Sequence, residues 1–192
     1  MWVDVYLLIL DNRGVAMRST IRACRKRYQL KDCNIITLTR KNRFEITGQE
    51  LANLSLHSKL IIVSHGDKNT LRTSFQGPIN HFELFELLLD LGLREAGVIS
   101  FKACNIGSGS FLEKFKSELC SDMKIGYLLA YKSSSIEIWG HEGIGCFDTS
   151  LRFFSCGLLK LPDSFRVKII KGNAKIEGLE MTRRRWLAIS NI

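Results

Sequence analysis

Short apolar runs set among amphipathic stretches constrain this chain more than any other feature. Val3–Leu10, Asn34–Thr39, Lys59–Ser64, Gly97–Lys102 and Lys124–Tyr131 are each six to eight residues long and rich in Val, Ile and Leu. Runs of that length are too short for buried helices. Most are nearly continuous rather than alternating, which is the pattern of strands covered on both faces. Between them lie helix-like segments. Val15–Leu30 sets Ile21, Ala23, Cys24 and Tyr28 among Arg22, Arg25, Lys26 and Arg27, an amphipathic helix with a basic outer face. Thr47-Gly48-Gln49-Glu50 reads as a capping box opening a short helix to about Leu56. Asn80–Leu91, with Glu83 at its third position, reads as the next helix. Ser110-Phe111-Leu112-Glu113 is a second capping box, starting a helix to about Leu119.

Strands and helices in strict alternation predict an α/β fold with a mostly parallel central sheet between two helical layers. Beyond Lys132 the pattern weakens. Phe165–Ile170 and Lys175–Leu179, joined by Gly172-Asn173, read as a C-terminal β-hairpin extension. Residues 1–192 therefore read as one domain, with its core in 1–132 and loops and the extension in 133–192.

Composition excludes several classes. Two prolines and 45% hydrophobic residues leave no room for a disordered or linker-rich chain. No run approaches the roughly 18–20 apolar residues of a membrane span. The first run carries Asp4 and ends in Asp11-Asn12-Arg13-Gly14, so it reads as a buried strand and not as a signal peptide. Six cysteines, Cys24, Cys33, Cys104, Cys120, Cys146 and Cys156, form no C-x-x-C pair and no zinc spacing, so no metal is expected. Thiols scattered in this way suggest a reducing, cytoplasmic compartment in which most are small buried hydrophobes. The net charge of +9 speaks to anionic partners. Nucleic acid is not expected, because the basic residues are not interleaved with aromatics.

The chemistry gathers at two strand ends. Lys59–Ser64 runs into His65-Gly66, and Gly97–Lys102 runs into Ala103-Cys104, 39 positions later. In open α/β sheets, functional groups collect at the carboxyl ends of strands. If these strands are neighbours, an imidazole and a thiol share one edge. A thiol becomes a strong nucleophile as its thiolate, and an adjacent imidazole supplies that activation. Gly66 removes bulk, so its N–H and that of Cys104 would form a two-donor oxyanion hole. The helix opened by Ser110 would favour negative charge near Cys104. Gly107 and Gly109 are expected to leave the loop after the thiol open to a substrate backbone.

Leu60-Ile61-Ile62-Val63-Ser64-His65-Gly66 followed by Val98-Ile99-Ser100-Phe101-Lys102-Ala103-Cys104-Asn105-Ile106-Gly107 resembles the paired motifs of the clan CD, caspase-like cysteine peptidases, most closely CHAT-domain peptidases and the self-cleaving domains of bacterial toxins. The resemblance implies a caspase-like three-layer sandwich that cleaves a protein substrate, with Cys104 as nucleophile and His65 as its proton-transfer partner. It requires no cofactor for the chemistry. Toxin-type members are activated by inositol hexakisphosphate on a basic patch. Here the densest candidates for such an anionic ligand are Arg22, Arg25, Lys26 and Arg27, or Arg183, Arg184 and Arg185. The same likeness implies a bacterial effector or toxin module delivered into a host cytosol. Asp67 is read as a pocket residue that orients His65 or recognises a basic side chain, and equally as a turn residue.

Two other readings stand beside this one. Cys104, His141 and Asp148 follow the chain order of papain-like, deamidase and transglutaminase sites. In the preferred reading His141 instead borders the pocket. Alternatively, the chain is a non-catalytic basic module that docks on acidic surfaces. His57 and His81, near helix ends, are expected to be solvated.

Overall fold

The structure, a computed structural model, describes residues 2–132, 135–136, 144–145 and 167–176. Its centre is a six-stranded sheet made of β1 (Asp4–Ile9), β2 (Ile35–Thr37), β3 (Ser58–Val63), β6 (Glu95–Lys102), β7 (Lys124–Tyr131) and β10 (Val167–Lys171). The spatial order is β10-β7-β6-β3-β1-β2, and every pairing is parallel except β10 with β7. β4 (Leu71–Thr73) and β5 (Gly77–Ile79) form a small hairpin after β3, and β8 (Ser135–Ile136) pairs with β9 (Ile144–Gly145). All six residues of β3 are buried, as a continuous apolar run at the centre of a covered sheet requires.

Helices cover both faces. α1 (Val15–Tyr28) sends Met17 and Cys24 onto Leu7, Ile9, Ile61 and Val63. On the other face, α2 (His81–Asp90) and α3 (Phe111–Glu118) pack Leu84, Leu88, Phe111 and Phe115 against Leu8, Leu60, Ile62, Ile99 and Phe101. The sheet residues of the two clusters alternate along β1 and β3, as a pleat of period two dictates. Phe101 meets Phe111 and Phe115 edge-on, at centroid distances of 5.8 and 6.0 Å, in the geometry aromatic rings prefer. The expected three-layer α/β architecture with a mostly parallel sheet is the one observed.

Three local expectations are corrected. Thr47 and Glu50 do engage one another: Glu50 accepts from the Thr47 N–H and hydroxyl and from the Gly48 N–H. No helix follows, however. The Leu51 N–H is drawn away to the Leu91 carbonyl, and Ala52 and Leu54 make only three-residue turns, so the helical ladder never starts. Ser110 makes no capping hydrogen bond, because its backbone at φ −98° and ψ 8° is not in the extended conformation of a cap, and the Glu113 carboxylate is engaged by Lys168 at 2.6 Å. The strand expected at Phe165–Ile170 exists as β10, but it pairs with β7 across the sheet edge, and residues 172–176 do not form a returning strand. Residues 177–179 lie outside the described residues.

Two outcomes follow. Phe101→Ala should cost about 3–5 kcal/mol, read as a lower urea midpoint with little change in slope. Glu113 is raised by its partial burial but lowered more by the Lys168 ammonium, the backbone hydrogen bond at the helix start and the Lys168 charge, so its carboxyl sits below the ordinary glutamate range. A depressed acid stabilises the fold above its unfolded pKa and loses that contribution as pH falls through its folded value. Glu113→Gln should therefore flatten the stability curve below about pH 5, with thermal melts across acidic buffers as the check.

Candidate active site

The sheet reverses its winding at β1. From β1 the chain crosses through α1 to β2 on one side, then passes to β3 on the other side and crosses through α2 to β6. Such a reversal opens a crevice at the carboxyl ends of the two strands where it occurs, because their outgoing connections leave on opposite faces. Here those ends are Leu10–Gly14 after β1 and Ser64–Gly66 after β3.

Register brings the two candidate residues to the same level of the sheet. Val63 pairs with Lys102 in the last parallel pair of β3 and β6, and the Ser64 N–H continues the ladder to the Lys102 carbonyl at 3.3 Å. His65 and Cys104 each lie two residues beyond that pair. Ala103 is buried in the cluster beneath α2 and α3, and the chain bends there, so that Cys104 opens the turn that follows β6. His65 lies at the head of α1: its ring Nε2 is 2.9 Å from the carbonyl of Arg13. Both residues are half-buried, between core and solvent.

That hydrogen bond settles the ring's chemistry. A carbonyl only accepts, so Nε2 carries the proton, and in the neutral ring Nδ1 holds the free lone pair. Arg13 is itself held. Asp11, fully buried, accepts from the Arg13 N–H at 3.1 Å and from Nε and Nη2 at 2.8 Å each. Burial alone would raise the Asp11 carboxyl. The Arg13 hydrogen bonds, with the charges of Arg13 and His65, outweigh it and hold that carboxyl below the usual aspartate range. Neither Asp11 nor Arg13 was expected to take part. The signal available was their place in Asp11-Asn12-Arg13-Gly14, directly after a buried strand and before a helix.

Gly66 sits against the thiol's backbone. A Cβ there would lie 3.1 Å from Ala103 Cβ and from Ile106 Cγ1, and 3.2 Å from the Cys104 carbonyl. The adjoining bridge to Leu71 uses the His65 carbonyl and the Asp67 N–H, and passes over the Gly66 amide. The helix start beside the imidazole is that of α1. It has no acidic residue in its first turn and no side-chain cap, and a Cβ on Gly14 would lie 3.8 Å from His65 Nε2. This positive helix end, rather than the one expected at Ser110, faces the site. Lys102, only 3% exposed, lies two residues before Cys104, and its Nζ donates to the Tyr131 hydroxyl at 2.8 Å.

Several expected roles change. Gly107 and Gly109 do not hold the loop open. The Cβ position of Gly107 lies 2.7 Å from the Ala130 carbonyl, and that of Gly109 lies 2.2 Å from the Lys68 carbonyl, so the protein's own backbone fills both spaces. Asn105, at φ 60°, turns the chain ahead of both. Asp67 is a turn residue: its carboxylate accepts from the N–H groups of Asn69 and Thr70 and from the Thr70 hydroxyl. His81 is half-buried rather than solvated, 3.2 Å from Glu118. Among the described cysteines Cys24 is buried, whereas Cys33 and Cys120 are exposed, against the expectation of mostly buried thiols. Arg22, Arg25, Lys26 and Arg27 lie toward the far end of α1, about 10–20 Å along its axis from its start, and Arg25 already pairs with Asp32 at 2.6 Å. His141, Cys146, Asp148, Cys156 and Arg183, Arg184 and Arg185 lie outside the described residues. Among the described residues no helix is long and apolar enough to cross a membrane.

No protein-family profile matches this chain, and no curated protein matches it. Among solved structures it is similar to a secreted C11 cysteine protease from Bacteroides thetaiotaomicron, solved in complex with an irreversible peptide inhibitor. The two are 12% identical with a TM-score of 0.40, over 73% of this chain and 51% of that one. This chain thus spans about half the length of that protease.

The hold of Asp11 on Arg13 makes a testable statement about tautomer. Ring 15N–1H spectra in alkaline buffer should show His65 protonated at Nε2, and Asp11→Asn should shift it toward a tautomer mixture. A wild-type ring protonated at Nδ1 would contradict the hydrogen bond described.

Proposed function

We propose that this chain is a cysteine peptidase of the clan CD, caspase-like type, acting through Cys104 and His65. The observation that carries the reading is the shared register level. His65 and Cys104 each lie two residues beyond the Val63–Lys102 pair, at the carboxyl ends of neighbouring parallel strands. The motif pair around them supports it, as do the helix start and the buried ammonium of Lys102, both of which favour a thiolate.

In this mechanism the Cys104 thiolate attacks the scissile carbonyl carbon and forms a C–S bond. The Gly66 and Cys104 N–H groups donate to the developing oxyanion. As the C–N bond breaks, imidazolium His65 transfers its Nδ1 proton to the departing amine, while Nε2 stays bonded to Arg13. Water then attacks the thioester, its proton passing to His65. The carboxylic acid leaves and the thiolate is restored. Asp11 acts through Arg13 to fix the ring and is a positioning residue.

Cys104→Ala and His65→Ala should each lower peptide cleavage by at least about 10³-fold. Because Cys33 and Cys120 are exposed, thiol labelling is best read in a Cys33→Ser/Cys120→Ser background. Iodoacetamide should there modify Cys104 fastest in mildly acidic buffer, and His65→Ala should remove that advantage. If both alanine variants retain cleavage, the dyad is refuted; if all thiols label alike and the unaltered chain cleaves nothing, the non-catalytic module is favoured.

A further inference from the structure

A second cleft opens on the same sheet edge, beyond β1 toward β2. Its volume is about 490 Å³, within the range of ligand pockets, and it is lined by Arg40, Arg43, Phe44, Phe75 and Gln76. Its walls are well supported. On one side the Asn42–Glu45 turn is tied down by Asn42, whose side chain accepts from the Thr39 N–H and hydroxyl and donates to the Thr37 carbonyl at 2.7 Å. On the other side the β4–β5 hairpin is anchored by Ser74, whose N–H donates to the Leu10 carbonyl and whose hydroxyl donates to the Leu38 carbonyl.

The lining has an unusual composition for a surface left bare. Phe44 is 91% exposed, although a phenyl ring gains by leaving water. Arg43 stacks its guanidinium over Phe75 at 5.3 Å, which orients the fork. Its nearest carboxylate among the described residues, Asp90, stands 3.9 Å away, beyond hydrogen-bond distance. Arg40 is exposed at the rim. Two guanidiniums able to grip a carboxylate bidentately, next to a bare aromatic ring, match an acidic side chain adjoining an apolar one.

We propose that this cleft binds an acidic, aromatic-containing segment of a protein substrate, with Arg40 and Arg43 holding a carboxylate and Phe44 covering the neighbouring apolar side chain. Position argues for a peptide. The Arg72 N–H is bonded to the His65 carbonyl, and Phe75 follows three residues later, within about 11 Å of chain. An extended peptide in the dyad's crevice reaches the cleft with about three residues. That placement rests on the peptidase reading; binding in the cleft does not.

The test uses the full chain carrying Cys104→Ala, with fluorescence anisotropy of fluorescein-labelled Gly-Phe-Glu-Asp-Gly. Arg43→Glu and Arg40→Glu should each weaken binding by about tenfold or more, and Phe44→Ala by several-fold. Lys116→Glu, the same charge change on exposed α3, should not. Circular dichroism of each variant guards against unfolding. Binding that is equal for Gly-Phe-Gln-Asn-Gly, unchanged by the Arg43 and Arg40 variants, or surpassed by a single-stranded oligothymidylate would overturn the proposal. Because anisotropy needs no turnover, loss of the dyad hypothesis and loss of this one are read separately. In the Cys104 protein, Arg43→Glu should raise KM for acidic substrates while leaving kcat unchanged.

Discussion

A parallel sheet that changes its direction of winding leaves its two diverging strands without a helix lying across their ends, and the chemistry proposed for this protein depends on that gap. β1 and β3 provide it. The residues that leave them, Asp11 to Gly14 on one side and Ser64 to Gly66 on the other, meet through the His65–Arg13 hydrogen bond. β6 then brings Cys104 to the same level. Nothing in this arrangement relies on a long flexible loop, because each group sits within four residues of a buried strand.

The electrostatics follow from the same placement. A fully buried carboxylate, Asp11, takes three hydrogen bonds from Arg13 and so fixes a backbone carbonyl in space. An ordinary carbonyl thereby selects which imidazole nitrogen is protonated. The uncapped start of α1 and the ammonium of Lys102 add positive potential at this end of the sheet, in surroundings less screened than open solvent.

The fold was largely legible from the chain because its strands are uninterrupted apolar runs, and covered parallel sheets produce few other patterns. His65 and Cys104 stood out as candidates for the same reason, as reactive residues within two positions of such runs. What stayed hidden depended on distant partners. Thr47-Gly48-Gln49-Glu50 carries every local sign of a helix start, but the Leu91 carbonyl takes the Leu51 amide that a helix would need. The strand before Gly172 paired with β7, forty residues earlier, because a turn signal says that the chain bends and not what it meets. Asp11 and Arg13 looked like a hydrophilic turn, and Gly107 and Gly109 looked like open loop. Only packing shows that the first pair positions a ring and that the second admits neighbouring backbone.

Lys168, on the last strand of the sheet, donates to the Gly109 carbonyl and to Glu113, and so clamps the turn that follows Cys104 from a point 59 residues downstream. Contacts of such wide sequence separation close late in folding, since the loop entropy must be overcome before they form. Most of the hydrophobic interior made by β1, β3, β6 and the three helices draws on earlier segments, with Ile170 and Ile176 added from the later ones. During synthesis the core would therefore assemble first, and the turn beside the thiol would acquire its final shape only when the C-terminal strand arrives. The loop that carries the candidate thiol is thus shaped by a residue far along the chain, and not by its own neighbours.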